Sequence, residues 1–178
     1  MLTIDRATSS LLIVDFQTRL MPAIEEGAAA VANAERLMTA AAMFDVPLLV
    51  TEQNSGGLGP TLPELAARAE GRVTQKMSFD ACRAPGFLDR LGGLPAVVVA
   101  GCETHVCVQQ TVLGLLDAGR RVYLVRDAVG SRRAESKETA IARMARHGAE
   151  IVTTEMVVFE WLASAEDPRF RDAIRLIK

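Results

Sequence analysis

Histidine occurs only twice in this 178-residue chain, at positions 105 and 147. A His-rich transition-metal centre cannot be built from two imidazoles, and a Cys–His dyad has few candidate partners. Cysteine occurs three times, at 82, 102 and 107, an odd count that argues against a disulfide framework. Although 49% of the residues are hydrophobic, no apolar run approaches the ~20 residues of a membrane span, so no membrane is an expected partner. A basic segment followed by a long apolar one is also missing, and the expectation is a cytoplasmic protein with reduced thiols. Neither sign of charge is in excess, with 20 Lys and Arg against 22 Asp and Glu. Arg132-Arg133 and Arg143/Arg146 read as solvated helix faces, so nucleic acid is not an expected partner. Repeats, low-complexity tracts and interdomain linkers are absent, and the length suits a single domain over 1–178. Without a G-x-G-x-x-G after the first apolar run, a nucleotide-binding domain is poorly supported.

What the chain does have is alternation. Short apolar runs rich in β-branched residues at 11–14, 46–51, 72–75, 96–100, 121–125 and 150–153 read as strands. Between the first two, Ala30, Ala34, Leu37, Ala41 and Phe44 recur at four- and three-residue steps, one face of a helix. Further helices are expected over 62–69, 87–91, 105–118 (closed by Gly119), 134–146 (ended by Gly148) and 154–162, the last capped by Thr154. Asp167-Pro168 reads as one more helix start, and 52–60, with its three glycines, as an irregular loop over a binding site or a plain connector. Strands alternating with helices predict an α/β fold: a three-layer, doubly wound sheet of six parallel strands, order 3-2-1-4-5-6, with helices on both faces.

In such sheets ligands bind beyond the carboxyl ends of the strands, where the strand order reverses. Asp15 ends the first strand, Lys76 ends the third, and Cys107 follows the fourth, just after the buried run Val97-Val98-Val99-Ala100-Gly101. Three chemically capable side chains thus fall on one edge. Placed in the first turn of a helix, Cys107 is expected to have a lowered pKa. Each has a plainer alternative: a packing thiol for Cys107, a helix cap for Asp15, a surface lysine for Lys76. Cys102 reads as structural, and His105 as a cap or packing residue, because positions two apart on a helix point away from each other. Phe16, Gln17, Gln53 and Phe79 flank the strand ends and are pocket candidates; the two glutamines would hydrogen-bond a polar substrate or lie on the loop surface.

Val14-Asp15-Phe16-Gln17, Gln75-Lys76 and Gly101-Cys102-Glu103-Thr104-His105-Val106-Cys107-Val108 resemble the three signatures of the isochorismatase-like cysteine hydrolases. Leu49-Val50-Thr51-Glu52-Gln53, Gly57-Leu58-Gly59-Pro60-Thr61 and Asp127-Ala128-Val129-Gly130-Ser131-Arg132 resemble the isochorismatase-domain-containing subgroup, so the likeness spans nearly the whole chain. The resemblance implies a catalytic triad of Asp15, Lys76 and Cys107. It implies a non-proline cis peptide at Cys102–Glu103, with the N–H groups of Glu103 and Cys107 as an oxyanion hole. It also implies hydrolysis of the C–N bond of a small amide-type substrate through a thioester, and a homo-oligomer, for which the apolar pieces at 157–162 and 174–177 would serve as interface or sheet cover. Between 51 and 73 there is no histidine, so the metal and the nicotinamide chemistry of the family's nicotinamidases are not expected, and no cofactor is. The vinyl-ether hydrolysis of true isochorismatases, which lack the cysteine, is not expected either. Two other classes stay open: a non-catalytic binding or scaffold protein, and a thiol redox sensor pairing Cys102 with Cys107.

Overall fold

The computed structural model describes residues 2–178. The strands are β1 (Ser9–Val14), β2 (Leu48–Gln53), β3 (Val73–Lys76), β4 (Ala96–Cys102), β5 (Arg121–Gly130) and β6 (Glu150–Val152). They form one parallel sheet in the order β3-β2-β1-β4-β5-β6, the expected doubly wound arrangement. The helices are α1 (Gly27–Met43), α2 (Ser55–Leu58), α3 (Pro63–Ala69), α4 (Phe87–Leu91), α5 (Gln109–Asp117), α6 (Ala134–Arg146), α7 (Thr154–Leu162) and α8 (Phe170–Ile177). None is long and apolar enough to cross a membrane.

Successive side chains of a strand point to opposite faces, so each central strand feeds two cores. Leu11 and Ile13 of β1, Val98 and Ala100 of β4, and Tyr123 and Val125 of β5 pack with residues of α1, α3 and α7. Leu12 and Val14, Val97 and Val99, and Val122 and Leu124 pack on the other face with residues of α4, α5 and α6. With helices on both sides, all six residues of β1 and all seven of β4 are buried, which is why these strands read as unbroken runs rather than alternating ones. The same geometry separates two thiols: Cys102 lies in the α1 layer and Cys107 in the α5 layer.

Gly101 sits opposite Val14 where β1 and β4 part. A Cβ at Gly101 would overlap the Val14 carbonyl oxygen, so only glycine lets these strands run this close at their carboxyl ends.

Four local expectations are corrected. Residues 52–60 are not irregular: β2 runs on to Gln53, and Asn54, at φ 42°, turns the chain so that its carbonyl accepts from the N–H groups of Gly57 and Leu58 at 2.8 and 2.9 Å, closing α2. The helix expected from 105 opens as a π-helical turn, Thr104–Val108, in which the Glu103 carbonyl accepts from both Val106 and Val108 at 3.0 and 3.2 Å; α5 follows. Thr153 rather than Thr154 caps α7, accepting from the Met156 N–H, while Thr154 bonds Asp127. Asp167 folds back onto Arg169 instead of capping, and α8 begins at Phe170.

Candidate active site

Asp15, the first residue beyond β1, has φ 53°, a left-handed conformation that aspartate enters more readily than most residues with a Cβ. Its side chain is fully buried, with Oδ2 accepting from Lys76 Nζ at 2.7 Å and Oδ1 from Thr51 Oγ1 at 2.6 Å. Lys76, the last residue of β3, reaches across beneath the end of β2. Its ammonium also donates to the carbonyls of Ser78 and Phe79, both at 3.3 Å, so each of its three protons has an acceptor. Burying an ion pair is costly, and only such full hydrogen bonding offsets the desolvation.

Thr51 escaped the sequence reading. The β1–β2 register sets it beside Val14, one residue from the carboxylate, and nothing in a β-branched strand residue announces that neighbour. Glu52 escaped as well. It is buried, accepting from the Thr61 N–H and hydroxyl at 2.7 and 2.6 Å and from Gln75 Nε2 at 2.6 Å. Burial pushes its carboxyl up, but these hydrogen bonds outweigh burial and hold it below its ordinary value. Glu52 thereby ties the chain at Thr61 to the end of β3.

Cys107 lies within the π-helical turn, 7% exposed, with the charges of Asp15 and Lys76 both acting on its thiol. Burial and the negative charge of Asp15 push the thiol up to about 12, and the opposing pull of Lys76 does not reverse this. The expected lowering is therefore corrected. A helix start favours thiolate where water helps to solvate the charge; here the sulfur is largely buried and the charge of a carboxylate acts on it. Cys82 is likewise pushed up to about 12, chiefly by burial and then by Asp80.

A cavity of about 290 Å³ opens at Cys107, with Arg19, Gln53, Phe79, Glu103 and Arg132 also on its wall. The Cys102–Glu103 peptide is cis. Of the pocket candidates, Gln53 and Phe79 line the cavity, Gln53 donating to the Met77 carbonyl at 3.1 Å. Phe16 and Gln17 do not. Phe16 is fully buried in the α1-side core. Gln17 is a brace: Nε2 donates to the carbonyls of Gln53 and Gly59 at 3.0 and 2.7 Å, and Oε1 accepts from the Gln53 N–H at 2.9 Å. A residue just past a strand end can turn inward as readily as outward, and composition does not distinguish the two. His105 pairs through Nδ1 with Ser131 Oγ at 3.0 Å and lines a separate hollow. A larger hollow of about 580 Å³ beyond β3 touches Lys76 and Met77 but does not include Cys107. Among the described residues, no group of three or more His, Cys, Asp or Glu is placed to hold a metal ion.

A family model described as the isochorismatase domain matches residues 9–156. The chain belongs to the isochorismatase family. Isochorismatase domain-containing protein 1 of Danio rerio is 35% identical over 174 residues, covering 97% of this chain; the chain spans only 62% of that protein's length. Among solved structures, the MAR1 ribonuclease from Caenorhabditis elegans superposes with a TM-score of 0.93 at 33% identity, covering 98% of this chain and 92% of its own. The YcaC gene product of Escherichia coli, described as an octameric hydrolase of unknown specificity, superposes with a TM-score of 0.89 at 25% identity, covering 99% of this chain and 88% of its own.

Proposed function

We propose that this isochorismatase-family protein is a cysteine hydrolase that cleaves the C–N bond of a small amide-type substrate through a thioester on Cys107. The observation that carries the reading is the fully buried Lys76–Asp15 pair, 2.7 Å apart, whose charges act on the Cys107 thiol at a cavity wall. A thiol held neutral needs a base at the moment of attack. Asp15 is the base. As the Cys107 sulfur adds to the substrate carbonyl carbon, the thiol proton passes to Asp15 and the carbonyl oxygen becomes an oxyanion. The N–H groups of Glu103 and Cys107 receive it, each contributing on the order of 3 kcal/mol to the transition state. Collapse breaks the C–N bond while Asp15 returns the proton to the departing nitrogen, leaving the thioester. Water then gives a proton to Asp15 and adds to the acyl carbon; the C–S bond breaks and the sulfur regains its proton. Lys76 keeps the carboxylate oriented and compensates its charge throughout, and Thr51 holds the other oxygen.

In this reading residues 1–178 work as one domain on a small molecule, without cofactor, nucleic acid or membrane, in the cytoplasm. Self-association is part of the reading, on the octamer described for the E. coli relative. The placement of Cys102 and Cys107 in different layers works against the redox-sensor alternative. The name of the C. elegans structure raises RNA cleavage as a second reading, and two arginines on the cavity wall would suit a phosphate. One experiment separates the readings. Wild type and Cys107→Ala are screened for ammonia release from a panel of small amides, for acyl adducts by mass spectrometry, and for RNA cleavage. The expected result is amide hydrolysis and an adduct in the wild type, both lost in Cys107→Ala. Hydrolysis retained by pure Cys107→Ala removes the covalent mechanism, and RNA cleavage without amide turnover favours the second reading.

A further inference from the structure

The cavity at Cys107 carries more positive charge than its walls neutralise. Arg19 and Arg132 are its two cationic side chains and Glu103 its one acidic side chain. Glu103 is already committed to Arg132, its Oε2 accepting from the Arg132 backbone N–H and from Nε at 3.0 Å each. Arg19 has no carboxylate partner among the described residues. Its Nη1 donates to the carbonyls of Gly56 and Gly57 at 3.1 and 3.2 Å, which anchors the guanidinium at the rim without compensating its charge. Behind the wall Asp15 and Lys76 cancel, and the Cys107 thiol is neutral. Past Arg132, a hollow of about 410 Å³ is lined by His105, Arg133 and Ser136; the nearby Glu25 is engaged in capping the Ala134 N–H at 2.9 Å. Apart from Gln53, the remaining wall of the Cys107 cavity, including Leu20, Ala23, Leu58 and Val106, is apolar.

We infer that the substrate of the Cys107 site is an anion: a compact amide bearing a carboxylate that Arg19 and Arg132 hold while its scissile carbonyl faces the sulfur. The inference rests on the proposed role of Cys107 as nucleophile. A guanidinium presents a planar fork of donors that matches a carboxylate oxygen for oxygen, and a lysine at the rim would not. The volume of about 290 Å³ lies at the small end of ligand sites and excludes a bulky partner.

The test needs no substrate. Iodoacetamide and iodoacetate are nearly equal in size and differ in one negative charge. Their rates of reaction with Cys107 in the full chain are followed by peptide mass mapping, which separates Cys107 from Cys82 and Cys102. The ratio of iodoacetate to iodoacetamide rates is expected to be higher at Cys107 than at Cys82. It should fall at least about threefold in Arg19→Gln, the effect of one unit charge a few ångströms away even at the dielectric of water, and further in Arg19→Gln/Arg132→Gln. Arg143→Gln, on the exposed face of α6, is the control and leaves the ratio alone. A ratio unchanged in both arginine variants overturns the anionic substrate while leaving Cys107 as nucleophile. If iodoacetamide does not label Cys107 at all, the nucleophile reading itself falls and takes this inference with it.

Discussion

Replacing Lys76 with Met keeps the length of the aliphatic stem and removes the charge. The structure states what is lost: the 2.7 Å bond to Asp15 and the 3.3 Å bonds to the Ser78 and Phe79 carbonyls. A fully buried carboxylate is then left with the Thr51 hydroxyl as its remaining side-chain partner. Removing one member of a buried ion pair typically costs about 3–5 kcal/mol, because the survivor is uncompensated. For a chain of this length that corresponds to a fall in Tm of roughly 6–20 °C. Asp15→Asn, which keeps a residue tolerant of the left-handed backbone, is expected to cost a similar amount by stranding the ammonium. The double variant Asp15→Asn/Lys76→Met removes both charges and should be less destabilised than the sum of the singles by about 2 kcal/mol or more. Urea unfolding followed by the fluorescence of Trp161, the one tryptophan and fully buried, measures all three. Single variants costing less than about 1 kcal/mol, or strict additivity, would show that the pair is not the isolated buried couple described here. All three variants should lack hydrolase activity whatever their stability.

Other outcomes follow from the same site. Because the Cys107 thiol is pushed up to about 12, kcat/KM should stay level between about pH 7 and about pH 10 instead of rising tenfold per unit through the ordinary thiol range near 8.5. The folded value lies above the unfolded one, so this group's contribution to stability is present below about pH 8.5 and lost as pH climbs from there toward about 12; a kcat/KM that rises tenfold per unit up to about pH 8.5 and then levels would reveal an ordinary free thiolate instead. Thr51→Val strips the hydroxyl from Asp15 Oδ1 and should cost about 1–3 kcal/mol in stability and a comparable loss in kcat/KM, whereas Thr51→Ser should keep most of both. Gly101→Ala drives a methyl into the Val14 carbonyl and should cost about 1–3 kcal/mol in urea unfolding; a neutral result would mean that β1 and β4 can part at that point without penalty.

The architecture was legible because its signals are local. β-branched runs such as Val97-Val98-Val99 are buried on both faces and cannot be mistaken for amphipathic surface, and handedness then leaves few strand orders. Asp15, Lys76 and Cys107 could be brought to one edge by topology alone. What failed was what depends on the third dimension. The direction of the thiol's shift turned on burial and on a carboxylate ninety-two positions away in the chain. Gln17 and Gln53 are the same residue type at comparable strand ends, yet one is a brace and the other lines the cavity. The π-helical turn at Thr104–Val108 has the same polarity pattern as an α-helical one, and only the shared Glu103 carbonyl distinguishes them.

Lys76, Thr51, Asp15 and Cys107 ride on four neighbouring strands or the turn just after one, whereas Arg19, Phe79 and Arg132 hang from the connections between elements. On the proposed mechanism, bond-breaking and molecular choice are therefore housed in separate parts of the polypeptide. Insertions or exchanges in those connections can retune which compound is admitted without disturbing how it is cut, so a single scaffold can serve many diets by changing only its mouth.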